Sequence, residues 1–155
     1  MNRTISKLLT PNCVLLNCAY STSGEVISAI GNQLFKEGFV RDTFVQAAID
    51  REKQLPTGLP LAGGINAAIP HTDIEHVIKP ALGMATLSKP VNFQNMVLPE
   101  ESVPVRLVFV LALEKPKAQI EMLQEVASVI QNTDLVKELI NQKSYDGIIQ
   151  ILEQM

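Results

Sequence analysis

The stretch Val103-Pro104-Val105-Arg106-Leu107-Val108-Phe109-Val110-Leu111-Ala112-Leu113 decides the fold. Val105, Leu107, Val108, Phe109, Val110 and Leu111 follow one another almost without a break, so neither face of a strand here is polar. A strand with one wet face alternates apolar and polar residues, whereas one covered on both sides does not need to. The stretch therefore predicts a central strand over Val103 to Leu113 with helices packed on each side. Its downstream neighbours agree. Pro116 suits the first turn of a helix, and Ile120, Leu123, Ala127 and Ile130 recur at helical spacing. Asn132-Thr133-Asp134 caps a short helix over Leu135 to Asn141, and Ser144 to Gln154 reads as a last helix.

Upstream, Ala81 to Leu87 reads as a strand that gives way to a polar connection around Lys89-Pro90. Ile65 to Ile69 is a short apolar run that reads as another buried strand. Between Leu55 and Pro60 two prolines and Gly58 break regular structure, and Gly63-Gly64 adds a flexible joint. Two helices precede this. One spans about Arg41 to Gln54, with Phe44, Val45, Ala48 and Ile49 as its buried face. The other spans Glu25 to Lys36, with an apolar stripe of Val26, Ile27, Ile30 and Leu34. Ser21-Thr22-Ser23-Gly24 offers its N-caps and Gly38 its stop. The first strand is Cys13 to Ala19. Strand, two helices, several strands, then helices is an α/β layered domain and not a strict βαβ alternation.

The 155 residues fit one domain, residues 1–155, and 46 % hydrophobic content is ample for a core. No apolar run approaches the length of a membrane-spanning helix. Met1 to Pro11 carries Arg3 and Lys7 but no long apolar run or cleavage site, so no signal peptide is read there. A net charge of −3 with no basic block gives nucleic-acid binding little support. Cys13 and Cys18 are five apart, which in one regular strand points them to opposite faces. They read as buried structural thiols in a reducing, cytosolic compartment.

Chemistry concentrates at Ala67-Ala68-Ile69-Pro70-His71. Pro70 cannot donate to a central ladder, so pairing is expected to end there. His71 then stands where a strand gives way to a loop, a place suited equally to a nucleophilic imidazole and to a hydrogen-bonded structural histidine. His71 and His76, with Asp73 and Glu75 between them, have poor spacing for one metal on a helix, and no cysteine joins the set. No Gly-x-x-x-x-Gly-Lys or Gly-x-Gly-x-x-Gly run marks a nucleotide site. No Gly-x-Ser-x-Gly elbow marks a serine hydrolase.

Three segments together resemble one family. They are Asp50-Arg51-Glu52-Lys53, Leu55-Pro56-Thr57-Gly58-Leu59 and Ala67-Ala68-Ile69-Pro70-His71. In this combination, and in element order from about Glu25 to Glu153, the chain resembles the IIA component of the sugar phosphotransferase system, in its fructose/mannitol/galactitol class. The His-x-x-x-x-His spacing and Pro-Thr-Gly-Leu look most like the galactitol-type branch. The resemblance implies a mixed central β-sheet flanked by helices on both faces. It implies that His71 accepts a phosphoryl group from the phosphocarrier HPr and passes it to a cysteine of a IIB component. IIB then serves sugar uptake through the IIC membrane permease. No cofactor or metal is needed, because donor and acceptor are protein side chains.

The resemblance also assigns supporting residues. Arg51 matches the family's Arg-Glu segment, and a guanidinium suits a phosphoryl dianion; it reads as well as a cation favoured at a helix C-terminus. Thr72 stands where many members carry a small residue. Its hydroxyl either bonds a phosphoryl oxygen or caps the following turn, the cap being the simpler reading. Gln119 stands near a position where several members carry a second histidine, and it can donate an amide N–H but cannot titrate. His76 either takes part in the site or is an exposed structural residue. Leu59, Leu61 and Ile74 are candidates for a partly apolar docking face. The alternative to transport is a regulatory module that senses phosphotransfer flux by binding other proteins.

Overall fold

The computed structural model describes residues 4–154. Of the amino-terminal stretch read as carrying no signal peptide, residues 1–3 lie outside the described residues, and residues 4–8 form part of a helix. In chain order the helices are α1 (Thr4–Leu8), α2 (Ser23–Lys36), α3 (Phe44–Gln54), α4 (Pro116–Ile130), α5 (Thr133–Ile140) and α6 (Tyr145–Glu153). The strands are β1 (Leu9–Cys18), β2 (Gly58–Leu59), β3 (Asn66–Ala68), β4 (Ala81–Gln94) and β5 (Ser102–Ala112). They form one five-stranded sheet in the order β1-β4-β5-β3-β2. The sheet is mixed: β1 with β4 and β3 with β5 run parallel, while β4 with β5 and β2 with β3 run antiparallel.

The strand that decided the reading, β5, is the middle of the five. Alternate residues feed two separate cores. Leu107, Phe109 and Leu111 join Met122, Val126, Leu139 and Ile148 on one face. Val105, Val108 and Val110 join Val26, Ile30, Leu34, Phe44 and Ala48 on the other. The Phe109 side chain is fully buried, and burial of such a side chain contributes about 1.5–3 kcal/mol. The caps follow the sequence. Thr22 accepts from the Glu25 N–H and the Glu25 carboxylate accepts from the Thr22 N–H, a reciprocal box at the start of α2. Asn132 and Ser144 cap α5 and α6.

Several expectations are corrected. Strand β4 does not stop before Lys89-Pro90 but runs through to Gln94. A register shift between Thr86 and Val91 accommodates the exposed proline, which is tolerated at a bulge. Leu55 to Pro60 is not wholly irregular, because Gly58–Leu59 pairs with Ala67 and Ala68. Helix α3 begins at Phe44 and not near Arg41. On α4 Ile130 is buried as expected and Leu123 and Ala127 are half-buried, but Ile120 is 58 % exposed, and Met122, Val126 and Val129 complete the buried face. Cys13 and Cys18 do not face opposite ways, since both pack against the α2–α3 core. Register shifts along β1 and a positive φ of 53° at Asn17 break the alternation between them. Cys13 is buried as expected, but Cys18 only partly so.

Candidate functional site

The local sequence around β3 builds the site. Pro70 has no N–H to give, yet its carbonyl still accepts from the Leu111 N–H at 3.1 Å. Pairing therefore does not end at Pro70. His71 forms a further parallel bridge with Leu111, which places it at the carboxyl ends of the neighbouring strands β3 and β5. The central strand β5 and its neighbour β3 thus hold the backbone on which the imidazole stands.

The ring is held as well. His71 Nδ1 lies 2.9 Å from the Ile69 carbonyl oxygen. A carbonyl only accepts, so Nδ1 carries the hydrogen and Nε2 keeps its lone pair. Burial keeps the imidazole below its ordinary basicity, against the pull of the Ile69 hydrogen bond; the nearby Arg51 guanidinium pushes the same way as burial, and Asp73 opposes it. All of this favours a neutral ring with one unprotonated nitrogen.

His71 shares a hollow of about 260 Å³ with Arg51, Gln54, Leu55, Pro56, Thr57, Met96 and Pro99. Arg51 comes from the last turn of α3 and reaches Asp73 Oδ1 with Nη1 at a long 3.5 Å. Its Nε is buried and has no hydrogen-bond partner. A buried donor left unmade is costly, and a guanidinium lining the same hollow as an imidazole suits an anion with several oxygens. The rim is set by Asn95, whose Oδ1 accepts from the Val97 and Leu98 N–H groups and turns the β4–β5 connection. Leu55, Met96, Val97 and Leu98 are exposed on this side chain set and its turn, and Leu55 and Met96 line the hollow itself. Leu59 and Leu61 line a different cavity, against α4 and α5.

The other expected residues sit at different distances from this chemistry. Thr72 is buried, and its carbonyl accepts from Gln119 Nε2 at 3.4 Å. Gln119 is thus tied to the peptide that follows His71. The turn Ile74–His76 is capped by Asp73 and not by Thr72, and the Asp73 side chain makes no capping hydrogen bond. His76 is drawn away. Its Nδ1 meets Thr43 Oγ1 at 2.8 Å at the start of α3, and its Nε2 lies 3.7 Å from Glu75. His76 is not among the residues lining the His71 hollow. Among the described residues no three His, Cys, Asp or Glu side chains converge as a metal site.

Two residues quoted for their motif alone turn out to be structural partners of the site. Glu52 is only 8 % exposed. Its carboxylate accepts from the Thr57 N–H at 2.8 Å and from the Thr57 hydroxyl at 2.9 Å. Thr57 Oγ1 in turn accepts from the Ile69 N–H at 3.2 Å. Burial pushes Glu52 up to about 7, against the two Thr57 hydrogen bonds, which pull it down. Gly58 follows because a Cβ there would stand 2.6 Å from the Gln94 carbonyl oxygen. The signal for Glu52 was present in the spacing: Phe44, Ala48 and Glu52 form one buried line on α3.

Comparison with known proteins places this arrangement. The family model for the phosphoenolpyruvate-dependent sugar phosphotransferase system, EIIA 2, matches residues 7–155. The galactitol-specific EIIA component of the phosphotransferase system of Escherichia coli K12 is 35 % identical over 116 residues, covering 75 % of this chain and 76 % of its own. The crystal structure of IIA mannitol from Escherichia coli superposes with a TM-score of 0.74 at 26 % identity, covering 91 % of this chain and 96 % of that one. Enzyme IIA in a complex with phosphorylated enzyme IIB of the Escherichia coli mannitol system superposes with a TM-score of 0.76 at 25 % identity, covering 96 % and 100 %.

Proposed function

The chain belongs to the EIIA 2 family of the sugar phosphotransferase system, and from this premise we propose that His71 is its phosphoryl carrier. The observation that carries the reading is the Nδ1–H bond to the Ile69 carbonyl, which leaves Nε2 as the nucleophile facing the Arg51 hollow. Nε2 attacks the phosphorus of phosphorylated HPr in line. A P–Nε2 bond forms as the donor's bond to phosphorus breaks, and the leaving group keeps that electron pair. Transfer of this kind depends chiefly on positioning and charge stabilisation. The Arg51 guanidinium, which lines the same hollow, meets the phosphoryl oxygens through its Nη groups. Gln119 donates one amide N–H to the Thr72 carbonyl, and its second N–H is left to donate to a phosphoryl oxygen.

In the second step a cysteine thiolate of a IIB component attacks the same phosphorus, a P–S bond forms and the P–Nε2 bond breaks. The IIB then phosphorylates a sugar entering through IIC. The likeness to the galactitol-specific component supports galactitol or a related polyol as that sugar. The exposed apolar Leu55 and Met96 at the rim suit partners that must dock and leave in turn. A carrier that takes its phosphoryl group from HPr works in the cytoplasm; no helix among the described residues is long and apolar enough to cross a membrane.

The experiment is a reconstituted relay with labelled phosphoryl donor, HPr, this protein and a panel of purified IIB proteins. Label arriving on a IIB only when this protein is present supports the reading. Label stopping on this protein with every IIB tested would favour the regulatory alternative.

A further inference from the structure

Four residues, Glu52, Thr57, Ile69 and His71, are linked behind the imidazole by hydrogen bonds that meet at the Ile69 backbone. The Glu52 carboxylate takes both the N–H and the O–H of Thr57. The Thr57 hydroxyl oxygen takes the Ile69 N–H. The Ile69 carbonyl takes His71 Nδ1–H. The relay runs from the last turn of α3 through Thr57 to Ile69 at the end of β3, beside the β2–β3 pairing and the Arg51–Asp73 contact that also join these segments. Glu52 has no cation paired with it among the described residues, and it is buried. A buried carboxylate is costly, and a neutral side chain would pack the same space. We infer that Glu52 and Thr57 are positioning residues of His71: they fix the Ile69 peptide, which holds the imidazole in the tautomer that presents Nε2.

The directions of the donors give the relay its polarity. Thr57 has one hydroxyl hydrogen, and the carboxylate claims it, so its oxygen is left to accept from Ile69. The peptide before Ile69 is then anchored at its N–H, which limits rotation at Ile69 and so steadies the following peptide, whose Ile69 carbonyl meets Nδ1. In its ionised form the Glu52 carboxylate only accepts, and it then sets this order uniquely. A glutamine at the same place presents one N–H toward Thr57 Oγ1 and forces the hydroxyl hydrogen elsewhere, while the Ile69 N–H still finds its acceptor. Thr57→Val removes the anchor and preserves side-chain shape. Thr57→Ser keeps the hydroxyl.

This inference rests on His71 being the phosphoryl carrier, but its first readout needs no phosphoryl donor. Long-range proton–nitrogen NMR of the histidine rings reports which nitrogen of His71 carries the hydrogen. In the wild-type protein and Thr57→Ser, Nδ1 is expected to be protonated and Nε2 bare. In Thr57→Val the ratio of that tautomer to the other is expected to fall by roughly two- to tenfold, the weight of one net hydrogen bond. Glu52→Gln, which leaves the Ile69 N–H its acceptor, is expected to fall between the two, and Thr57→Ala, which also removes the anchor, carries the test should Thr57→Val fail to fold. Phosphorylation by phosphorylated HPr is expected to slow by about tenfold or more in Thr57→Val and to recover in Thr57→Ser. A folded variant lacking the anchor, with the wild-type tautomer ratio and the wild-type rate, overturns the inference. A wild-type protein that HPr does not phosphorylate would sink the carrier reading and leave the tautomer result standing by itself.

Discussion

Replacing Glu52 by glutamine changes the pH dependence of stability in a direction opposite to most carboxylates. In the unfolded chain Glu52 titrates near 4.5, and in the folded protein burial moves it up to about 7. Between these values the folded protein holds a proton that the unfolded chain has released. Stability is therefore full below pH 4.5, falls as pH rises toward 7, and is flat above. At about 1.4 kcal/mol for each factor of ten in acidity, the whole interval is worth about 3 kcal/mol. That is a large share of a typical stability of about 5–15 kcal/mol. His71, held less basic than usual, contributes with the opposite sign: its neutral burial is lost as pH falls below 6.5. Both proteins keep His71, so it cancels in the difference between them. The assay is urea unfolding of wild type and Glu52→Gln over a pH series from about 5 to about 8. Wild type is expected to lose about 2.5 kcal/mol relative to the variant across the series, the part of the interval that lies above pH 5. A difference that stays constant with pH would refute the buried, proton-holding carboxylate.

Three further outcomes are expected. Arg51→Ala slows phosphorylation by HPr by about tenfold or more in single-turnover kinetics, yet shifts the unfolding free energy by under about 1 kcal/mol, because its ion pair with Asp73 is long and exposed. His76→Gln costs about 1 kcal/mol in denaturant unfolding through the lost Thr43 contact, and leaves the phosphorylation rate unchanged; a large loss of rate would return His76 to the site. Gly83→Ala destabilises by about 1–3 kcal/mol in the same unfolding assay, because a Cβ on β4 would run into the Ile30 side chain of α2; a neutral substitution there would contradict the close seating of that helix.

What could be read from the sequence was whatever periodicity and single motifs control. The doubly apolar Val105–Leu111 run marked the central strand, because a residue run with no polar face has one stable location. The caps at Thr22, Asn132 and Ser144 were legible because they act over three residues. Local reading failed where a long-range partner decides. Lys89-Pro90 looks like a connection, but β5 runs alongside and a bulge absorbs the proline. Ile120 matches the helical spacing of α4 and is exposed, because the helix turns another line toward the sheet. Cys13 and Cys18 share a face because β1 is irregular between them. In the site, His71 and Arg51 were both named, and both line one hollow. The lone pair on Nε2 was not legible, since it depends on where the Ile69 carbonyl points. Glu52 was legible in principle: an acid in line with Phe44 and Ala48 is buried, and a buried acid requires donors.

The account rests most directly on which atom carries the phosphoryl group. Wild type and His71→Ala, each incubated with phosphorylated HPr and kept at alkaline pH to preserve phosphoramidate bonds, are to be mapped by phosphorus NMR and by peptide mass spectrometry. The account predicts one phosphoryl group, on Nε2 of His71, and none on the folded variant. A phosphoryl group on His76 or any other residue, or label surviving in His71→Ala, would contradict it.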